Sequence, residues 1–193
     1  SDDIGAQHVD YSQWKHWAYM EIDVGSVGLV EDVHDFPLLV RLDHTCFDFS
    51  AALGDGADIA FSSENRVQHS HEVEEWDSAG QSAHVWVSLP HISADSSTQR
   101  FIMYWGRSSG KPSEGASAFT VASGFSGVWH LAESVGDGTA GLDDASDNGS
   151  PLTPLFLQDG GIGATQAPGV VGRGITLDSH NDMLFSPSRD VLE

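Results

Sequence analysis

Along the first hundred residues, apolar and polar positions alternate in short runs, and this period of two predicts strands. Residues 14–24 combine aromatic and alternating positions and predict a first strand, followed by a turn at residues 25–28. Similar runs at residues 36–42, 57–61, 71–76, 84–89 and 101–105 are separated by Gly, Asp, Asn, Ser and Pro. Strands of this length and spacing predict an all-β fold, an antiparallel β-sandwich of jelly-roll-like architecture. A short helical turn is expected at residues 47–53, where Asp48 or Ser50 would cap it.

Residues 106–115 are rich in Gly, Ser and Pro and predict a long loop or a boundary. Beyond it, residues 125–131 predict a strand, residues 137–154 an acidic loop, and residues 169–185 two short strands around Gly174 and Asp178. The pattern divides the chain into a β-sandwich domain at residues 10–123 and a C-terminal β segment at residues 124–191. That segment either completes the sandwich or opens another one, and it is too short to bury much surface alone.

Charge narrows the partners. With 8 Lys+Arg against 29 Asp+Glu, the formal net charge is −21 in 193 residues. Such a surface repels nucleic acid and anionic membrane, and no basic patch with interleaved aromatics is present to hold a nucleic-acid backbone. The carboxylates are spread through strands and turns, so stability is expected to rise with salt. No run approaches the roughly 20 apolar residues of a transmembrane helix, and the first residues do not form a signal peptide. The final Leu192-Glu193 reads as a vector-derived scar, so flanking segments of a longer protein are expected. Cys46 is the single cysteine and, set among Thr45, Phe47 and Phe49, is expected as a small buried side chain.

Several clusters carry candidate chemistry. Asp137, Asp143, Asp144, Asp147 and Asn148 offer hard oxygen ligands at close spacing, as calcium needs, and Asp178, Asn181 and Asp182 form a second cluster. Neither has the EF-hand pattern, so an ordinary solvated acidic loop stands beside calcium as the alternative. Asp58, Glu72, Glu74 and Asp77 flank predicted strands. Strict alternation would put Glu72, Glu74 and Trp76 on one face, a platform on which an indole stacks against a sugar while carboxylates accept its hydroxyls. The alternative places Trp76 in the core with the glutamates at its wet edge. Trp14 and Trp17, in the first strand, are expected to be partly exposed and join the ligand-binding candidates, whereas Trp86, Trp105 and Trp129 are expected mostly in the core. His69 and His71, two apart on a strand, would share a face, but nothing in the sequence supplies a third metal ligand. No GxSxG elbow, phosphate loop or histidine triad is present.

Laid in order, Trp14, DFPLLVRL, DFS, GADIAF, HEVEEWD, AHVWVSLP and MYWG resemble an uncharacterised bacterial envelope domain family over roughly residues 10–110. The resemblance implies an extracytoplasmic location (periplasmic, cell-surface or secreted) and an association with proton channels of the ExbB, TolQ and MotA type. It also implies a following concanavalin-like or laminin-G-like domain, whose entry GVWHLAE, DDASDNG and GVVGRGITLDSHNDML are similar to. The expected function is a non-catalytic extracytoplasmic module that recognises a glycan or envelope component, with calcium as the candidate cofactor. The alternatives are a structural or protein-interaction domain of an envelope or proton-channel-associated complex, and a fragment of a polysaccharide-active enzyme, which would need two carboxylates facing across a cleft.

Overall fold

The computed structural model describes residues 9–108, 117–133, 141–156, 165–177 and 182–186. The chain divides into two compact units, Ser1–Ala118 and Phe119–Glu193.

In the first unit a short turn at Tyr11–Gln13, capped by Asp10, leads into β1 (His16–Asp23). Asp23 then caps a single helical turn, α1 (Val24–Val27), which Gly28 ends with a left-handed φ of 69°. β2 (Val33–Asp43), a 3-10 turn at Phe49–Ala51, β3 (Ala60–Ser63), β4 (Gln68–His69), β5 (His71–Asp77), β6 (Ser82–Ile92) and β7 (Thr98–Trp105) follow. The 3-10 turn lies within the expected helical stretch, and Asp48 caps it by accepting the Ser50 N–H at 3.0 Å.

These strands form a four-stranded sheet in the order β1-β7-β3-β4 and a three-stranded sheet in the order β2-β6-β5, with every strand pair antiparallel. Residue pattern explains their burial. β6 alternates, with Ala83, Val85, Val87 and Leu89 buried and Ser82, His84, Trp86 and Ser88 half-buried on the opposite face. β7 instead buries four residues in succession, because both its faces are covered. Phe101 and Met103 join a core to which both sheets contribute, through Phe61 of β3, Val40 and Leu42 of β2, and Val85 and Val87 of β6. Ile102 and Tyr104 point the other way and pack with Tyr11, Trp14 and Ala60.

Among the described residues, the second unit contains a 3-10 turn at Val121–Ser123 and four short strands, β8 (Thr153–Phe156), β9 (Thr165–Pro168), β10 (Arg173–Thr176) and β11 (Asp182–Phe185). They pair antiparallel as β9 with β10 and β8 with β11. Leu142 is its fully buried centre, packed by Leu131, Leu152, Ile175 and Leu184.

The protein is therefore mostly antiparallel β strand arranged in several sheets, as the alternation predicts at that level, and no sheet among the described residues closes or curls into a jelly roll. One predicted strand does not form. Residues 125–131 lie outside regular structure, and Val128 exchanges backbone bonds with the acidic loop, its N–H donating to Asp144 Oδ1 and its carbonyl accepting from the Ala145 N–H. The Trp129 ring lies so close over Gly127 that a Cβ there would collide with it. Of the two strands expected around Gly174 and Asp178, the first is β10, while Asp178 lies outside the described residues.

Candidate functional site

Asp58 and Trp14 organise the inside of the first unit. The Asp58 side chain is fully buried; Oδ1 accepts the Leu53 N–H at 2.8 Å and Oδ2 the Gly106 N–H at 2.7 Å. Its backbone carbonyl accepts the Trp14 indole N–H at 2.6 Å. Trp14, expected to be partly exposed, is 7 % exposed, because residues 9–14 fold back over β7 and β3 and the Arg107 guanidinium lies 4.9 Å from its ring centre. Burial beside Tyr104 pushes the Tyr11 hydroxyl in this cluster up to about 12.

β5 departs from strict alternation. Val73 pairs with Val85 but Glu75 pairs with His84, so Glu74 is an extra residue opposite one step of β6, a β-bulge. The bulge turns Trp76 to the same side as Val73, against the core, where its ring meets Phe47 and Phe49 edge-on and its indole N–H donates to Ser78 Oγ. The expected Glu72–Glu74–Trp76 face does not exist. Glu74 instead reaches across to Trp86, whose indole N–H donates to its Oε2 at 3.0 Å, and Glu72 is the cross-strand partner of Trp86. Trp86 thus stands on the outer face of the three-stranded sheet with Glu72, Glu74, Glu75 and His84, not in the core. The run Ser82, His84, Trp86, Ser88 carried that signal, since it alternates with four small or aliphatic residues.

Trp17 is the candidate that faces water. It is 58 % exposed, and Tyr19, two residues along the same face of β1, is 52 % exposed. Their rings meet edge to face at 5.5 Å. Glu21 continues the row and binds Arg100 of β7, with Nη2 to Oε2 at 2.8 Å, and the same guanidinium lies 5.8 Å from the Tyr19 ring centre. β1 forms one edge of its sheet. Tyr19 was legible in the sequence only through its spacing of two from Trp17.

Of the acidic clusters, Asp137, Asp178 and Asn181 lie outside the described residues, and Asp182 is described only as backbone in β11. Asp144 spends both oxygens on its own loop, Oδ1 accepting the N–H groups of Val128 and Ser146 and Oδ2 that of Ser150. Burial works to raise the Asp144 carboxyl, and these donors together outweigh it and hold it below the ordinary value. Asp147 accepts the Val121 N–H at 2.6 Å, Asn148 donates to the Ser126 carbonyl at 2.8 Å, and the Asp143 N–H donates to Glu133. The side chains of Asp144, Asp147 and Asn148 thus serve as internal caps for irregular backbone. Among the described residues no three His, Cys, Asp or Glu side chains gather into a metal-holding group.

The histidines divide by environment. His69 ends β4 and His71 begins β5, so the chain passes from one sheet to the other between them. Burial pulls both down to about 4, which keeps them neutral, and His71 packs on the Phe61 ring. His34 and His91, by contrast, are exposed cross-strand partners on β2 and β6 with ring centres 5.0 Å apart. Asp32 Oδ2 lies 3.0 Å from His91 Nε2, and Oδ1 accepts the Ala94 N–H at 2.9 Å. The His91 bond and then the Ala94 bond hold the Asp32 carboxyl below its usual range. Cys46 is exposed rather than buried, because the turn after β2 points Phe47 and Phe49 inward and leaves the thiol beside the Asp43 carbonyl.

No helix among the described residues is long and apolar enough to cross a membrane. No curated protein and no solved structure matches this chain. Residues 55–132, under half of the chain, match the family described as Domain of unknown function (DUF2341), a span that begins within the stretch carrying the expected resemblance and runs on into the second unit.

Proposed function

We propose that the chain is a non-catalytic extracytoplasmic binding module, its first unit a β-sandwich, that recognises a glycan of the cell envelope through the aromatic face of β1. The observation that carries this reading is the exposed Trp17–Tyr19 pair, bordered by the Arg100–Glu21 ion pair. Indole and phenol rings offer apolar area to the C–H face of a sugar, while a guanidinium and a carboxylate fixed beside them hydrogen-bond its hydroxyls. A core shared by two sheets supports the sandwich, and it gives the aromatic row a rigid base. The extracytoplasmic location rests on the envelope-family resemblance of residues 10–110.

Binding of a panel of neutral and charged oligosaccharides, followed by calorimetry, tests the reading. Trp17→Ala is expected to weaken binding about tenfold or more while leaving the melting temperature unchanged, because the ring is mostly in water. Failure of every glycan to bind would remove the glycan reading.

A second reading is favoured by the position of β1 at a sheet edge. There the chain is a structural or protein-interaction domain, and an envelope protein, including one associated with a proton channel, adds a strand beside β1. Under this reading the parent protein ignores the glycan panel, and its Trp17→Ala variant loses a protein partner instead.

A further inference from the structure

We propose that His34 and His91 form a binding site for a divalent transition-metal ion of the zinc, nickel and copper class, with Asp32 as its positioning residue. The site lies on other strands than the aromatic row and does not depend on the glycan reading.

The β2–β6 register sets the two imidazoles directly opposite one another, with ring centres 5.0 Å apart and planes inclined by 39°. A metal ion bound in the plane of an imidazole sits about 2.0–2.1 Å from the nitrogen, and so about 3.2 Å from the ring centre. Two ring centres 5.0 Å apart then subtend an angle of about 103° at a shared ion, close to the tetrahedral value. The separation is therefore compatible with both imidazoles binding a single ion.

Asp32 supplies the second element. Its carboxylate is an acceptor, so the His91 nitrogen 3.0 Å away, Nε2, carries the proton and donates it. That leaves the lone pair on Nδ1, and the hydrogen bond makes this nitrogen a better donor to a metal. The other Asp32 oxygen holds the Ala94 N–H, which ties the carboxylate to the far end of β6 and fixes the direction of the His91 ring. Asp32 thus occupies the place of the outer carboxylate in a carboxylate–histidine–metal arrangement.

Imidazole nitrogen selects zinc, nickel and copper, whereas calcium and magnesium take oxygen ligands. No third His, Cys, Asp or Glu among the described residues completes a metal-holding group with this pair. Water or an incoming ligand therefore fills the remaining positions, and the ion staples the start of β2 to the end of β6. The net charge of −21 raises the local concentration of any dication.

The test titrates zinc into the metal-stripped full chain by calorimetry, with calcium as control, and follows the ring nitrogens of the histidines by NMR. One zinc is expected to bind, with His34→Ala and His91→Ala each weakening it at least about tenfold and Asp32→Asn weakening it roughly 10–100-fold. In the parent protein, zinc should shift His91 Nδ1 while Nε2 keeps its proton, a signature that a purely structural role for Asp32 does not produce. Zinc affinity unchanged in both histidine variants, or His34 and His91 nitrogens unmoved at saturating zinc, would overturn the proposal. Calcium binding with equal affinity at the same residues would overturn the metal class.

Discussion

Asp58 shows how a single polar side chain joins distant parts of the first unit. Its two oxygens satisfy the N–H groups of Leu53 and Gly106, and its carbonyl satisfies the Trp14 indole. Asp58→Ala strands two backbone donors that water reaches poorly, at about 1–3 kcal/mol each. Urea unfolding of that variant should show a loss of about 2–6 kcal/mol, with the melting temperature falling accordingly. His69 and His71 make the opposite kind of contribution. Both are held near a pKa of about 4 by burial, against the ordinary 6.5 of an unfolded chain. Above about pH 6.5 neither state binds the proton and stability is at its full value. As pH falls from about 6.5 toward 4, the unfolded chain takes up protons that the folded one refuses, so stability declines by up to about 1.4 kcal/mol per pH unit for each histidine. Chemical unfolding at a series of pH values should show this decline, and His69→Gln should remove about half of it.

At the scale of elements, the bulge in β5 decides which aromatic enters the core. One inserted residue, Glu74, reverses the inside and outside of everything after it, and Trp76 goes in while Glu75 goes out to His84. The loop before β3 is shaped to receive that ring. Gly56 has a φ of 68°, and a Cβ there would run into the Trp76 indole. Gly56→Ala therefore meets both a backbone penalty and a steric one, together roughly 2–4 kcal/mol. Its melting temperature should fall well below that of a control substitution at Gly28, which has a similar φ of 69° but nothing within reach of an added Cβ.

For the whole molecule, charge outweighs any single ion pair. The formal charge is −21, and the Arg100–Glu21 bridge is exposed and small in effect. Carboxylate repulsion acts over a Debye length of about 30 Å at 0.01 M salt and about 3 Å at 1 M. Melting temperature should accordingly climb between these salt concentrations, with sodium chloride and potassium chloride acting alike. A rise confined to one divalent cation at constant ionic strength would instead mark specific binding.

Short apolar and alternating runs in the sequence by themselves located six of the seven strands described in the first unit, because such runs are a local property that follows from the pleat of the backbone, and missed only the two-residue β4. The Asp48-capped turn was legible from cap chemistry, and Trp17 is exposed as its place near the chain end led us to expect, although the same ground failed for Trp14. Only the tertiary structure decided what lay across from each residue. The bulge at Glu74 exists in relation to β6, so no reading of β5 alone could exchange the roles of Trp76 and Trp86. Trp14 became a core residue because the chain doubles back onto β7, and Cys46 became exposed because the turn after β2 spends its inward positions on Phe47 and Phe49. The acidic residues at 143–148 announced hard oxygen donors, but the fold of their loop gave the Asp144 and Asp147 oxygens to its own backbone N–H groups. The His34–His91 pair, 57 positions apart in the chain, came into being only through strand register, since spacing in sequence says nothing about partners that meet across a sheet.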